Sequence, residues 1–216
     1  MVTEDDFFNE LAKETDEIYL QSPVFKKNEK MNWWYSICNG PILKNRPVVF
    51  GLNWGVAKNH LHSPQRNQPS ETDNNKWPFR NQLDHYLSNH FKLDSDKINY
   101  SNLCFFRTPK ANYLSYQDWR MAIPLFKKYV DFVQPPYAIM LGSPKHLNEE
   151  EYSDRERISH ISEGRTKRAF IHTGVLFGKY KFVSVPHPQA RVVRESRDFL
   201  WEETKKYINN KIIIEV

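Results

Sequence analysis

The chain has 216 residues, a length that fits one α/β domain or a core with an N-terminal extension. Apolar residues make up 39% and charged residues 26%, no run nears the roughly 20 apolar residues that span a bilayer, and no charged-then-apolar leader follows Met1. These features predict a cytoplasmic protein without a membrane partner. Residues 1–20 hold seven acidic side chains against Lys13 alone, which leaves +11 for the rest of a chain whose net charge is +5. A basic body of this kind draws polyanions through counterion release, so nucleic acid is a natural partner, although an excess of cations also serves solubility alone.

Taken in chain order, Phe7, Phe8, Leu11, Ile18 and Tyr19 recur at helical spacing among acids. They predict an amphipathic helix over 4–20 that Ser22-Pro23 ends. A Trp33-Trp34-Tyr35 cluster follows, and residues 1–45 read as a helical extension of a single domain spanning 1–216. From Val48 the chain alternates strand-like and helix-like segments. Strands are predicted to end near Asn53, near Phe105 (Ile98 to Phe105), at Gly142 (Tyr137 to Leu141) and at Val185. Helices are predicted over Gln82–Phe91, over Ser115–Val133 with Trp119, Ile123, Phe126, Val130 and Val133 on one face, over the charged stretch Glu149–Ile161, and over Ser196–Asn210. Pro124 is expected to kink the second of these or to mark its true start. Ala169–His172 and Gly174–Phe177 suggest a short extra strand or a hairpin. Strands separated by such crossovers predict an α/β fold: a three-layer αβα arrangement around a central, mostly parallel, four-stranded sheet. The polar loop from Lys58 to Lys76 has the composition of a lid or a disordered segment. Cys38 and Cys104 lack any metal or disulfide spacing, and His60-x-His62 and the pair His85 and His90 lack companion ligands, so neither a metal nor a cofactor is expected.

Polar side chains stand where the apolar runs stop, and in an open parallel sheet ligands gather beyond such strand ends. In order they are Gly51-Leu52-Asn53-Trp54-Gly55, Asn102 to Pro109, Leu141-Gly142-Ser143, and His187-Pro188-Gln189-Ala190-Arg191. Over residues 46 to about 195 this series resembles the uracil-DNA glycosylase superfamily. The first segment is similar to that family's water-positioning loop and the last to its His-Pro-Ser leaving-group loop. Trp77-Pro78-Phe79 looks like the Pro-Phe segment before the family's first helix, and Asn102 falls where the family keeps the Asn that reads the pyrimidine edge. Trp54 replaces the family's Pro, and Gln189-Ala190 replace the residues after His-Pro. The chain lacks the four cysteines of the iron–sulfur branch, while Asn53 in place of Asp is similar to the mismatch-directed and single-strand-selective branches.

The resemblance implies a monofunctional DNA glycosylase, a monomer, that flips uracil or a related damaged base from DNA and hydrolyses its N-glycosidic bond. His187 would donate an N–H to the departing base as an oxyanion-type partner. Asn53 would orient the attacking water through its amide oxygen, since an amide is no base at neutral pH. Asn102 offers the donor and acceptor that match uracil. Gly51 and Leu52 would approach the base, Phe79 would stack on it, and Trp54 would either wall the pocket or block it. Ser143, Gln189, Arg191 and Arg194 would hold the DNA. The residues also admit plainer readings: His187 a loop histidine, Asn53 a turn residue, Asn102 a buried amide, Phe79 a core ring, and Arg194 and Arg197 a solvated helix face. A nucleobase-binding module that has lost hydrolysis, or an unrelated hydrolase of small nucleosides, stays open beside the enzyme.

Overall fold

A computed structural model of the chain describes residues 2–27, 33–55 and 78–210, apart from the side chains of residues 78–80 and 95. The predicted polar loop, with Lys58, Arg66, Lys76 and the His60-x-His62 pair, lies outside the described residues. The chain divides into two compact units interleaved along the sequence, the first formed by 1–74 and 98–135, the second by 75–97 and 136–216.

The first unit contains helices α1 (Glu4–Gln21) and α2 (Pro23–Lys27), strands β1 (Cys38–Asn39), β2 (Val48–Gly55) and β3 (Asn99–Thr108), and helix α4 (Tyr116–Val133). Strand β3 lies between the other two, antiparallel to β1 and parallel to β2. Nearly every residue of β3 is buried, which explains its continuous apolar run in place of alternation. Helix α4 covers this sheet with Trp119, Ile123, Phe126, Val130 and Val133, the predicted face, all buried; Phe126 meets Phe50 of β2 at 4.6 Å between ring centroids. Its start is fixed by a capping box in which Ser115 and Asp118 satisfy each other's backbone N–H. Pro124 therefore neither starts nor ends the helix; it lies inside an 18-residue element. Helix α1 buries Leu11, Ala12, Thr15 and Tyr19 and stacks Phe7 on Phe132 of α4 at 3.8 Å.

The second unit contains α3 (Pro78–Tyr86), continued by a π-helical turn over Leu87–Phe91, strands β4 (Tyr137–Leu141), β5 (Tyr152–His160), β6 (Ala169–Leu176) and β7 (Tyr180–Val185), and helix α5 (Arg194–Asn209). Its strands run in the order β4-β7-β6-β5. The pair β4/β7 is parallel and in register from Tyr137↔Lys181 to Leu141↔Val185, so both strands end at one level. Strands β5, β6 and β7 form an antiparallel meander. The β6–β7 connection is a tight turn with Phe177 at φ 53° and Gly178 at φ 68°, a type I′ geometry matched to strand twist. Helix α5 buries Leu200, Trp201, Thr204 and Ile208, with Trp201 stacked on Tyr86 at 5.3 Å. Phe199 is 37% exposed and stacks on His160 at 4.5 Å between ring centroids.

The fold is α/β, but the expected four-stranded, mostly parallel sheet is overturned. The described residues form seven strands, and three of the five pairings within the units are antiparallel. The difference arises from three added strands, β1, β5 and β6, each of which pairs antiparallel. The charged stretch Glu149–Ile161, expected as a helix, contains strand β5. Its Arg and Glu residues favour a helix locally, but Tyr152 is buried against Phe182 at 4.9 Å and donates its hydroxyl to the Thr173 carbonyl at 2.8 Å. This anchoring and the pairing with β6 outweigh propensity, and the charges lie along the exposed edge of the sheet, where they discourage further pairing.

Candidate functional site

In the first unit the predicted residues cluster where β2 and β3 run side by side. Gly51 is in register with Asn102, and Asn53 with Cys104. Asn102 is buried, and its carboxamide oxygen occupies the space in which a side chain at position 51 would stand. That close approach is why position 51 is glycine. Asn53 is half-buried, and its Nδ2 donates to Thr108 Oγ1 at 2.7 Å and to the Trp54 carbonyl at 3.1 Å. Thr108 in turn donates to the Lys110 carbonyl at 2.9 Å. With its amide nitrogen held in this way, the Asn53 oxygen is the end of the carboxamide with no partner among the described residues. Leu52 is half-buried between these groups in sequence. Trp54 is 7% exposed and packs edge-on against Tyr100 at 5.7 Å, with its indole N–H buried and unpaired among the described residues. Burial raises the Tyr100 hydroxyl above its ordinary pKa, so it stays neutral beside this cluster.

In the second unit the parallel ends of β4 and β7 place two predicted segments together. Gly142 adopts φ 134°, a backbone shape that suits glycine, and its carbonyl accepts from Ser184 Oγ at 2.5 Å. From there the chain turns to Ser143, while β7 continues into Pro186-His187. Ser143 and His187 line one cavity of about 330 Å³, together with Arg168, Phe170 and His172. That volume is at the small end of ligand sites.

His187 is oriented by its own loop. The Gln189 backbone N–H donates to His187 Nδ1 at 3.2 Å, and the Ala190 N–H to the His187 carbonyl at 2.8 Å. Burial first, and the Arg197 charge second, lower its pKa below 6.5. The ring is therefore neutral at pH 7, and since Nδ1 accepts, the proton resides on Nε2, making that nitrogen a donor. Gln189 contributes this backbone bond while its side chain is exposed. Arg191 is exposed, and Arg194 is exposed with its guanidinium 3.6 Å from Asp198. Phe79 belongs to the first turn of α3, and the stacking expected of its ring lies outside the described residues.

Three participants escape the sequence reading. Arg197, expected on a solvated face, is 8% exposed and donates to the carbonyls of Pro188 and Ala190 at 2.7 Å each and of His187 at 3.3 Å. The signal was present, because Arg197 precedes Leu200 and Trp201 by three and four residues and so extends the buried stripe of α5. Phe170 and His172 alternate with buried Ile171 and Thr173 on β6, a period-two pattern that aims an aromatic ring and an imidazole at the same face. Burial and the Arg157 charge lower the pKa of His172 as well.

Among the described residues no three His, Cys, Asp or Glu side chains cluster as metal ligands, and no helix is long and apolar enough to cross a membrane. No protein-family model matches the chain, and no curated protein matches it.

Proposed function

We propose that the chain is a DNA glycosylase that hydrolyses the N-glycosidic bond of uracil or a related damaged base. The reading is carried by His187: a neutral imidazole with its proton on Nε2, lining a cavity sized for a small ligand. In the reaction the bond between C1′ and the base nitrogen breaks with its electron pair leaving on the base. An N–H donor aimed at the pyrimidine oxygen stabilises that anion without giving up its proton. A water, whose orientation the sequence resemblance assigns to an amide oxygen such as that of Asn53, then bonds C1′ and releases its proton to the departing base. Asn53 accepts no proton, so the chemistry depends on leaving-group stabilisation more than on general-base help. The same resemblance assigns base selection to Asn102 through its paired donor and acceptor. Neither a metal nor a cofactor enters this scheme.

The test uses labelled uracil oligonucleotides, single- and double-stranded, followed by alkaline cleavage of abasic sites. Wild type is expected to excise, and His187→Ala to lose about 3 kcal/mol of transition-state stabilisation, roughly a hundredfold or more in rate. Asn53→Ala is expected to lose activity while retaining DNA binding. Base-dependent binding with no excision by wild type would identify a binding module, and cleavage of free nucleosides alone would identify a small-molecule hydrolase.

A further inference from the structure

A second cavity of about 370 Å³ adjoins the one that His187 lines, and Arg168, Ala169 and Val192 form a wall common to both. The two differ in chemistry. Phe170, His172 and His187 bound the first, with Arg168 its one Lys or Arg, whereas Arg165, Lys167 and Arg191 join Arg168 around the second. None of these four cations has an ion-pair partner among the described residues. Four like charges around one concavity repel one another, and an anion in the cavity relieves that repulsion.

The cations are set on a held scaffold. They come from the 161–168 connection between β5 and β6 and from the loop before α5. Ser162, at the start of that connection, is joined to α5 by a 2.5 Å contact with Ser196 Oγ, and His160 Nδ1 meets the same oxygen at 3.0 Å. The Arg165 N–H donates to the Ser162 carbonyl at 3.1 Å, closing a turn beneath the basic side chains. Beside them Phe170 is 41% exposed, with the Arg157 guanidinium 5.5 Å over its ring, an arrangement of aromatic face and cation suited to bases and phosphates.

We propose that the basic cavity binds a phosphate ester of the nucleotide whose base occupies the His187 cavity, an assignment that rests on the nucleobase reading of that neighbouring site. A cavity for a ring and a cavity for an anion, separated by one shared wall, match the base and phosphate of a single nucleotide. The phosphate belongs to a nucleic-acid strand or to a free nucleotide; the recognition chemistry is the same.

The full chain is compared with Arg165/Lys167/Arg168→Ala and with a control, Lys13/Lys26/Lys27→Ala, which removes the same three charges from exposed positions of the first unit. Anisotropy titrations with a thymidine-only oligonucleotide across a salt series and calorimetry with thymidine monophosphate supply the two arms. Because neither probe contains uracil, excision plays no part. Wild-type excision of a uracil oligonucleotide, measured separately, reports on the glycosylase reading alone. At low salt the first triple variant is expected to bind at least about tenfold more weakly, with the log–log salt slope flattened by about one unit for each cation that touches a phosphate. Loss in both arms, or in the strand arm alone, supports the site and assigns it to nucleic acid; loss with the monophosphate alone supports it and assigns it to free nucleotides. A first triple variant indistinguishable from the control in both arms, or a wild type that binds neither probe, overturns the proposal.

Discussion

At His187 the direction of the pKa shift fixes the direction of two pH effects. The ring is disfavoured as a cation in the folded protein, by burial and by Arg197, so its folded pKa lies below 6.5. As pH falls below about 6.5 the unfolded chain takes up a proton that the folded one does not, so the associated stability is present above 6.5 and is lost as pH falls through the folded value. His187→Gln is expected to flatten that part of a stability–pH curve from chemical denaturation, leaving the similar contribution of His172. Activity that depends on the neutral donor is expected to be level through pH 6.5 and to decline only below it. A rate that climbs on acidification would mean that imidazolium is the working form. Gly51 permits a second test at this scale. A methyl group there meets the Asn102 carboxamide, so Gly51→Ala is expected to cost about 1–3 kcal/mol and to weaken base selection. Much of the stability loss is expected to vanish in Gly51→Ala/Asn102→Ala, a coupling that a double-mutant cycle measures. The Gly-x-Asn-x-Gly spacing made this crowded strand end legible in the sequence. It did not disclose that the Asn53 nitrogen is held by Thr108, 55 residues away, because hydrogen-bond partners of that separation leave no local pattern.

The loop after β7 and the helix that follows it act together through one side chain. Arg197 is a buried guanidinium whose described hydrogen-bond partners are backbone carbonyls of residues 187–192. Arg197→Met keeps the apolar stem and removes the donors, so the Pro188 carbonyl loses its 2.7 Å bond while those of His187 and Ala190 keep only the backbone N–H groups of Ala190 and Val192. The expected cost is about 3 kcal/mol in unfolding free energy, in the range for buried bonds to a charged donor. The same change removes the smaller of the two causes that depress the His187 pKa, so an NMR titration of the ring is expected to move upward yet stay below 6.5, since burial persists. An unaltered titration would mean that the loop holds its shape without Arg197. Helix α4 and strand β4 were readable because their apolar spacing agrees with their propensity. Strand β5 was not, since Arg155, Glu156 and Arg157 carry helical propensity while the strand is dictated by Tyr152 and by pairing with β6, both tertiary facts.

Charge is distributed unevenly over the molecule: the second unit contains 18 Lys and Arg against 14 Asp and Glu, the first 13 against 12. The first unit is near neutrality because α1 brings its acids into it. An acidic segment at a chain terminus suggests a detachable arm that competes with nucleic acid for the basic surface, but the packing of α1 assigns it to the core. Tyr35 donates its hydroxyl to Asp16 at 2.8 Å and to the Ala12 carbonyl at 3.0 Å. The Trp34 N–H donates to the Tyr19 hydroxyl at 2.9 Å, and burial pushes the Tyr19 pKa up to about 12. Removing residues 1–21 therefore strips buried Leu11 and Tyr19 from α4 and from the Trp34-Tyr35 segment. At about 1.5–3 kcal/mol for each large buried side chain, the loss is expected to be on the order of 5 kcal/mol, a large part of the stability of an ordinary domain. Thermal denaturation of the truncated chain is expected to show a sharply lowered or absent transition. A truncated chain that melts like the full one and binds oligonucleotides more tightly would instead make the helix a detachable electrostatic arm.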